Sequence, residues 1–221
     1  MWRRLSPLLV LVLATACGGG SAEPEPSIVP GDGAETAVAA VEDLVEAVNT
    51  AEFADASRLA VPGQAALAAL AEGATFGEVA KALGEGDQEI AANFWAGFAQ
   101  GTGSFLTGDV TVEEDGTVEL DGVTFHRVVV TPADATTRIL LVRDDGGHRI
   151  DLFGSFGPGL ADKMVGPVER LLTTQTGDAR LILAELQEIV PSLLASASLP
   201  GTSAEASQQL IALIEVITRV S

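Results

Sequence analysis

Two stretches near the middle of this chain are apolar on both faces. In 137–143, Ile139 and Leu141 alternate with Leu140 and Val142, and Val128, Val129 and Val130 follow one another directly. Strand side chains alternate between faces, so neither face of such a strand can be left to water. A sheet that contains them must be a middle layer, covered on both sides. The chain therefore needs two sets of covering elements, and its hydrophobic periodicity offers one set before the strands and one after.

Before them the period is helical. Val38, Val41, Leu44, Val45 and Val48 fall three and four apart from Glu35 onward, with Asp32 as a plausible cap. Shorter helices are expected over Glu52 to Ala60, Ala65 to Leu70 and Phe76 to Leu83, between Pro62-Gly63 and other glycine breaks. Ile90, Phe94, Trp95 and Phe98 make a bulky stripe, read as core, with a ligand-pocket wall as the alternative. The period then becomes two. Strands are expected over Phe105–Glu113, Thr117–Leu120, Val123–Thr131, Thr137–Arg143 and His148–Phe153. Asp115-Gly116, Asp121-Gly122 and Asp145-Gly146-Gly147 read as hairpin turns between them, which makes the neighbours antiparallel. Helical spacing returns in three stretches: Leu160 to Leu172, Ile182 to Leu194 and Leu210 to Val220, the last opened by a Thr202–Glu205 capping box. The expected fold is α+β: N-terminal helices packed on a curved antiparallel sheet, with additional C-terminal helices as the second cover.

The amino terminus has the layout of a secretory signal: Arg3 and Arg4, an apolar run from Leu5 to Leu13, then small residues. That run is shorter than the roughly 20 residues a membrane-spanning helix needs. Ala14, Thr15, Ala16 and Cys17 resemble a bacterial lipobox, and Cys17 is the chain's one cysteine. The resemblance implies a signal peptide over 1–16, lipid attachment at Cys17, and anchorage on the extracytoplasmic face of a membrane through acyl chains. Two or more chains are needed for a durable anchor, since each buried methylene contributes about 0.8 kcal/mol and one chain holds only marginally. Residues 17–34 form a Gly- and Pro-rich tether with almost nothing to bury.

Helices over 35–60, with Glu52-Phe53-Ala54-Asp55-Ala56 just after the first, lead to a meander ending in Gly147-His148-Arg149-Ile150-Asp151. This pattern resembles exported proteins of the nuclear-transport-factor-two-like superfamily over residues 35–156. The resemblance implies a sheet wrapped around helices into a cone, holding a ligand, an active site or only side chains. It leaves 157–221, a C-terminal helical extension, unexplained, and such a fold says little about activity.

Charge and composition close off several functions. With 12 basic and 31 acidic residues, a net −19, the chain does not suit nucleic acid or anionic lipid as an electrostatic partner. One cysteine and two histidines are too few soft ligands for a structural zinc site, and acidic clusters such as Glu113-Glu114-Asp115 lack calcium-loop spacing, so no metal or cofactor is expected. The sharpest enzymatic constellation is His126 with His148, Asp109 or Asp151 as a general acid–base pair. His148 and Asp151 are three apart on a strand and so point to opposite faces, leaving His126 with one or the other. Gly154-Ser155-Phe156-Gly157 lacks the glycine two residues before the serine that a nucleophile elbow requires, and reads as a strand end. Arg127 and Arg138 read either as clamps for an anionic ligand or as partners for surplus carboxylates. The expectation is an envelope lipoprotein, not an enzyme, that binds an apolar small molecule or an envelope protein. The alternatives are a hydrolase, isomerase or dehydratase using His126, and a structural protein dimerising through its C-terminal helices.

Overall fold

The computed structural model describes residues 33–219 apart from 87, 103–105, 107–108 and 134–135. The signal peptide, Cys17, the tether up to Asp32, and Phe105 lie outside the described residues. Among those described, the chain is α+β: nine α-helices and one four-stranded antiparallel sheet of order β1-β2-β3-β4.

The first helix, α1 (Ala37–Asn49), opens at Thr36, whose side chain accepts a hydrogen bond from the Ala39 N–H at 3.1 Å. Thr36, rather than Asp32, is therefore the cap. Three short elements follow: α2 (Phe53–Leu59), α3 (Gln64–Ala68) and a 3₁₀ turn (Ala69–Glu72) that continues α3. Next, α4 (Phe76–Glu85) starts with a reciprocal capping box between Thr75 and Glu78, and α5 (Gln88–Thr102) carries the aromatic stripe.

The strands are β1 (Val110–Leu120), β2 (Val123–Pro132), β3 (Arg138–Asp144) and β4 (His148–Ile150). Asp121 and Gly122 both take positive φ, 49° and 77°, as a two-residue hairpin turn between paired Leu120 and Val123 requires. The expected turn at Asp115-Gly116 is instead a bulge. Glu114 pairs with Val128 and Thr117 with His126, so two residues on β1 face Arg127 alone, and β1 runs on as one long strand. Arg127 fills the kink, donating from Nε and a terminal nitrogen to the Asp115 carbonyl at 3.1 and 2.6 Å.

The second half also differs from the sequence expectation in three places. β4 stops at Ile150, and Asp151-Leu152-Phe153 does not extend it, because Asp151 caps α6 (Leu152–Thr173) by accepting from the Gly154 N–H at 2.7 Å. The boundary expected at 156/157 thus falls inside one helix. The apolar run from Ile182 to Leu194 is two helices, α7 (Gly177–Glu188) and α8 (Val190–Ala197), broken where Pro191 starts the second. In α9 (Ala204–Thr218) the cap is Ser203, accepting from the Ala206 N–H, while the Thr202 hydroxyl donates to the Ser196 carbonyl; Thr202 and Glu205 do not form the expected box.

Both sheet faces are covered. Val128, Val130, Leu140, Val142 and Ile150 lie on one face and share a core with Val41 and Leu44 of α1, all 0% exposed. The other face presents Phe125 and Leu141 to Ala195 of α8. The first turn of α6 lies directly on β3, where a Cβ at Gly154 would come within 2.9 Å of Leu141 Cδ1. The C-terminal helices are the second cover that the two-faced strands demanded. The β4 edge is closed by bridges from Ala34 to His148 and from Ala60 to Ile150.

Candidate functional site

Three polar or cleft-forming constellations stand out, and only one is open enough to hold a guest. The first is a buried polar knot at the start of α6. Asp151, fully buried, accepts from Gly154 N–H through one oxygen and from the Ser192 hydroxyl through the other at 2.6 Å, with Arg143 at 3.8 Å. Burial pushes its carboxyl above the ordinary 3.8, against the lowering pull of Ser192, Gly154, Arg143 and Gln64. Gln64 accepts from the Leu152 N–H at 2.6 Å, and the Ser155 hydroxyl accepts from Leu141 N–H and donates to its carbonyl. The knot ties α3, β3, α6 and α8 together. Ser155 therefore completes the β3 edge beyond β4, and the Gly154–Gly157 segment is the first turn of a helix rather than a strand end.

The second constellation is the histidine pair. His126 on β2 and His148 on β4 stand on the same sheet face, their rings edge to face with centroids 5.0 Å apart. The carboxylate is one the sequence offered only as part of an acidic cluster and not as a histidine partner: Glu114 on β1, whose Oε1 lies 2.8 Å from His126 Nδ1. Asp151 is on the opposite face, as the strand parity requires. Glu114 could have been found by counting registers only once the bulge was known, since it sits one pair beyond Thr117–His126. A histidine held by a carboxylate can accept and return a proton, and that is all the geometry offers here. Among the described residues no group of three or more metal-ligating side chains converges. Of the two arginines singled out, Arg127 serves the bulge and its Asp115 carboxylate, while Arg138 is exposed. The buried one is Arg149, paired with Asp145.

The third is a cleft of about 870 Å³ between α4, the 3₁₀ turn, α5 and α6. Its floor is apolar, formed by Ile90, Phe94 and Phe98 of α5 with Leu160 of α6. The aromatic stripe divides its labour: Trp95 is wholly buried and packs edge-on against Phe94 and Phe98, with centroids 5.4 and 5.3 Å away, while Phe94 and Phe98 also face the cleft. Phe98 rests on Phe156 at 4.8 Å, which fixes α5 against α6. The mouth is polar. Lys163 donates to Glu72 at 2.9 Å across it, and Glu78, Lys81, Glu89 and Asn93 complete the rim. Hydrogen bonds from the Thr75 N–H and hydroxyl hold the Glu78 carboxyl below its usual range. Gly97 of α5 faces the same space, and a Cβ there would meet nothing within 4 Å.

Elsewhere the apolar faces of the C-terminal helices are turned inward; Ile211, 48% exposed, is the one large hydrophobic side chain strongly exposed among the described residues. No described helix is long and apolar enough to cross a membrane. No protein-family model matches this chain, and neither a curated protein nor a solved structure is significantly similar to it. Fold and site thus define a class only: an α+β protein whose sheet is filled on both faces and whose open, apolar-floored space lies between helices.

Proposed function

We propose that this chain is an exported envelope lipoprotein, held on the extracytoplasmic face of a membrane by acyl chains on Cys17, that binds a small amphipathic molecule and performs no chemistry on it. The observation that carries the binding role is the cleft. Its volume lies within the roughly 300–1,000 Å³ of small-molecule sites, and an apolar floor under a few polar rim groups is the usual composition of such sites. The sheet, by contrast, is packed against α1 on one face and α6 and α8 on the other. The anchor reading rests on the segment Ala14 to Cys17 and on the short apolar run before it.

The test is native mass spectrometry of the full chain made in a lipoprotein-processing host, with wild type beside Gly97→Leu. Gly97 lines the cleft and a Cβ there meets nothing within 4 Å, so a leucine side chain has room to occupy its opening. The wild type is expected to carry a stoichiometric guest that leaves on unfolding, and Gly97→Leu to be empty. A guest retained by Gly97→Leu places the binding elsewhere.

A second reading is favoured by the His126–Glu114 contact, an acid–base pair for a hydrolase, isomerase or dehydratase. Turnover of an envelope substrate that is lost in His126→Ala would establish it in place of the first.

A further inference from the structure

The two edges of the sheet are finished differently. Along β4 the outward backbone groups are taken: Ala34 and His148 exchange hydrogen bonds, and the Val61 N–H donates to the Ile150 carbonyl at 2.9 Å. Past the end of β4, the Asp151 N–H donates to the Leu141 carbonyl on β3 and the Leu141 N–H donates to the Ser155 hydroxyl. At β1, the opposite edge, no bridge from any described residue reaches the outer side.

The register fixes which groups of β1 point outward. In an antiparallel pair, residues that exchange hydrogen bonds with their partner alternate with residues that turn their N–H and C=O away from it. The Ala133 N–H donates to the Asp109 carbonyl at 3.3 Å, so in the strand that follows Thr111 and Glu113 bond to β2, while Val110, Val112 and Glu114 present both groups outward. The far side gives the same phase. Leu141 turns its groups toward Asp151 and Ser155, so Leu140 bonds to Val128, and Val128 turns away from Glu114. Pairing is regular from Val110 to Glu114 and the bulge ends it, which leaves a docking edge about 17 Å long. Its two faces differ: Val110 and Val112 are half-buried on the α1 core, with Glu114 next on that side, while Thr111 and Glu113 are exposed on the other.

An open edge pairs indiscriminately unless it is guarded, and here the guard is charge. β1 carries Glu113, Glu114, Asp115 and Glu119 and no lysine or arginine. A second copy pairing edge to edge would bring the same four carboxylates to the seam with no cation on either strand, and like charges across a seam are destabilising. A strand with cations facing Glu113 and Glu114 turns that repulsion into attraction. Glu113 is exposed, and Glu114, which holds His126 through Oε1, keeps 40% of its side-chain surface. We propose that the Val110–Glu114 edge accepts, by antiparallel strand addition, an extended basic segment of a partner protein. Its order is set by the two faces: lysine or arginine opposite Glu114 and Glu113, then β-branched apolar residues opposite Val112 and Val110 with a threonine between them. This surface is separate from the cleft and does not depend on what the cleft holds.

The experiment is fluorescence polarisation of the full chain at physiological salt, where long-range attraction is screened, with labelled peptides centred on Lys-Lys-Val-Thr-Val or Glu-Glu-Val-Thr-Val. The basic peptide is expected to bind one per chain and at least tenfold more tightly than the acidic one. Val112→Pro removes an outward N–H that takes no part in the β1–β2 ladder, a position where an edge strand tolerates proline. It is expected to weaken the basic peptide about tenfold in a chain that still unfolds cooperatively. Glu113→Lys, at an exposed position, keeps the test open if proline costs the fold; there the preference for the basic peptide is expected to shrink about tenfold. No binding of the basic peptide to the wild type overturns the proposal. So does binding unchanged by Val112→Pro in a folded chain, which would be charge attraction without strand addition, or a preference that keeps its full size in Glu113→Lys. A wild-type dimer in sedimentation that Val112→Pro dissolves makes a second copy the occupant and overturns it as well.

Discussion

Asp151→Ala tests whether a single buried carboxyl holds the two halves of the fold together. The change removes the α6 cap, which is worth about 1 kcal/mol. It also leaves the Ser192 hydroxyl, 0% exposed, without its acceptor, a cost of about 1–3 kcal/mol. Arg143 retains access to water, with 21% of its side chain exposed, and adds little. Against these losses, alanine discards a carboxylate whose charged form burial disfavours. The net expectation is a loss of about 2–3 kcal/mol by urea titration at neutral pH, or about 4–12 °C in thermal melts for a chain of this size. Asp151→Asn should cost less, about 1 kcal/mol, because the amide oxygen still caps Gly154 and the amide nitrogen can donate to a turned Ser192 hydroxyl.

The same residue predicts a pH dependence whose sign is fixed. The folded-state carboxyl is raised above the ordinary 3.8, so between 3.8 and that higher value the folded chain holds the proton more often than the unfolded chain. The group's contribution to stability is therefore greatest below the window and is lost as pH rises through it. Asparagine does not titrate, so the wild type's advantage over Asp151→Asn must widen on acidification. An advantage that narrows in acid, or an alanine loss below about 1 kcal/mol, would refute the account of the knot.

Radiolabelled palmitate is expected to enter the wild type and not Cys17→Ala in a lipoprotein-processing host; equal labelling of both would remove the anchor. Gly154→Ala is expected to destabilise by about 1–3 kcal/mol, since the added Cβ would lie 2.9 Å from Leu141 Cδ1 and 3.2 Å from Leu141 Cβ, and the latter cannot swing away. A melt unchanged by that substitution would mean that α6 does not rest on β3 as described.

The layers were legible in the sequence because burial on both faces of a strand leaves a mark that periodicity can read: Leu140 and Val142 predict one cover, Ile139 and Leu141 the other. Local chemistry was less decisive. Asp115-Gly116 and Asp121-Gly122 are the same dipeptide, and both glycines take positive φ, 84° and 77°. One is a bulge and the other a turn because β2 is long enough to pair past the first, a fact stored in residues 123–132 rather than in the dipeptide. Asp151 misled for a related reason: its alternation with Leu152 and Phe153 imitates a strand, and its role as a cap shows only once Gly154 and Ser155 are seen to lie on β3. Capping-box spacing did not discriminate either: the box read at Thr202 and Glu205 does not form, while the one that does, Thr75 with Glu78, was not read from the sequence. The cleft was not legible, since its lysines and floor come from three helices, α4, α5 and α6, whose meeting is purely tertiary.

The position of the cleft follows from the same constraint that organises the fold. Strands apolar on both faces must be sealed on both, so an opening kept beside them would expose the core; helices with one polar face can stand apart at lower cost. Gly97 is where that distinction can be measured. It lies mid-helix in α5, where glycine costs about 1 kcal/mol against alanine, and no neighbour requires it, since a Cβ meets nothing within 4 Å. Gly84 in α4 is equally unopposed but lies outside the cleft lining. Alanine at either site is therefore expected to raise stability by about 0.5–1 kcal/mol. Leucine should do so at both while emptying the cleft only at Gly97, a gain in stability bought with function. If leucine at Gly84 expelled the guest as well, or leucine at Gly97 did not, the space between α5 and α6 would be a packing gap, and the search for a partner would move to the surface of the protein.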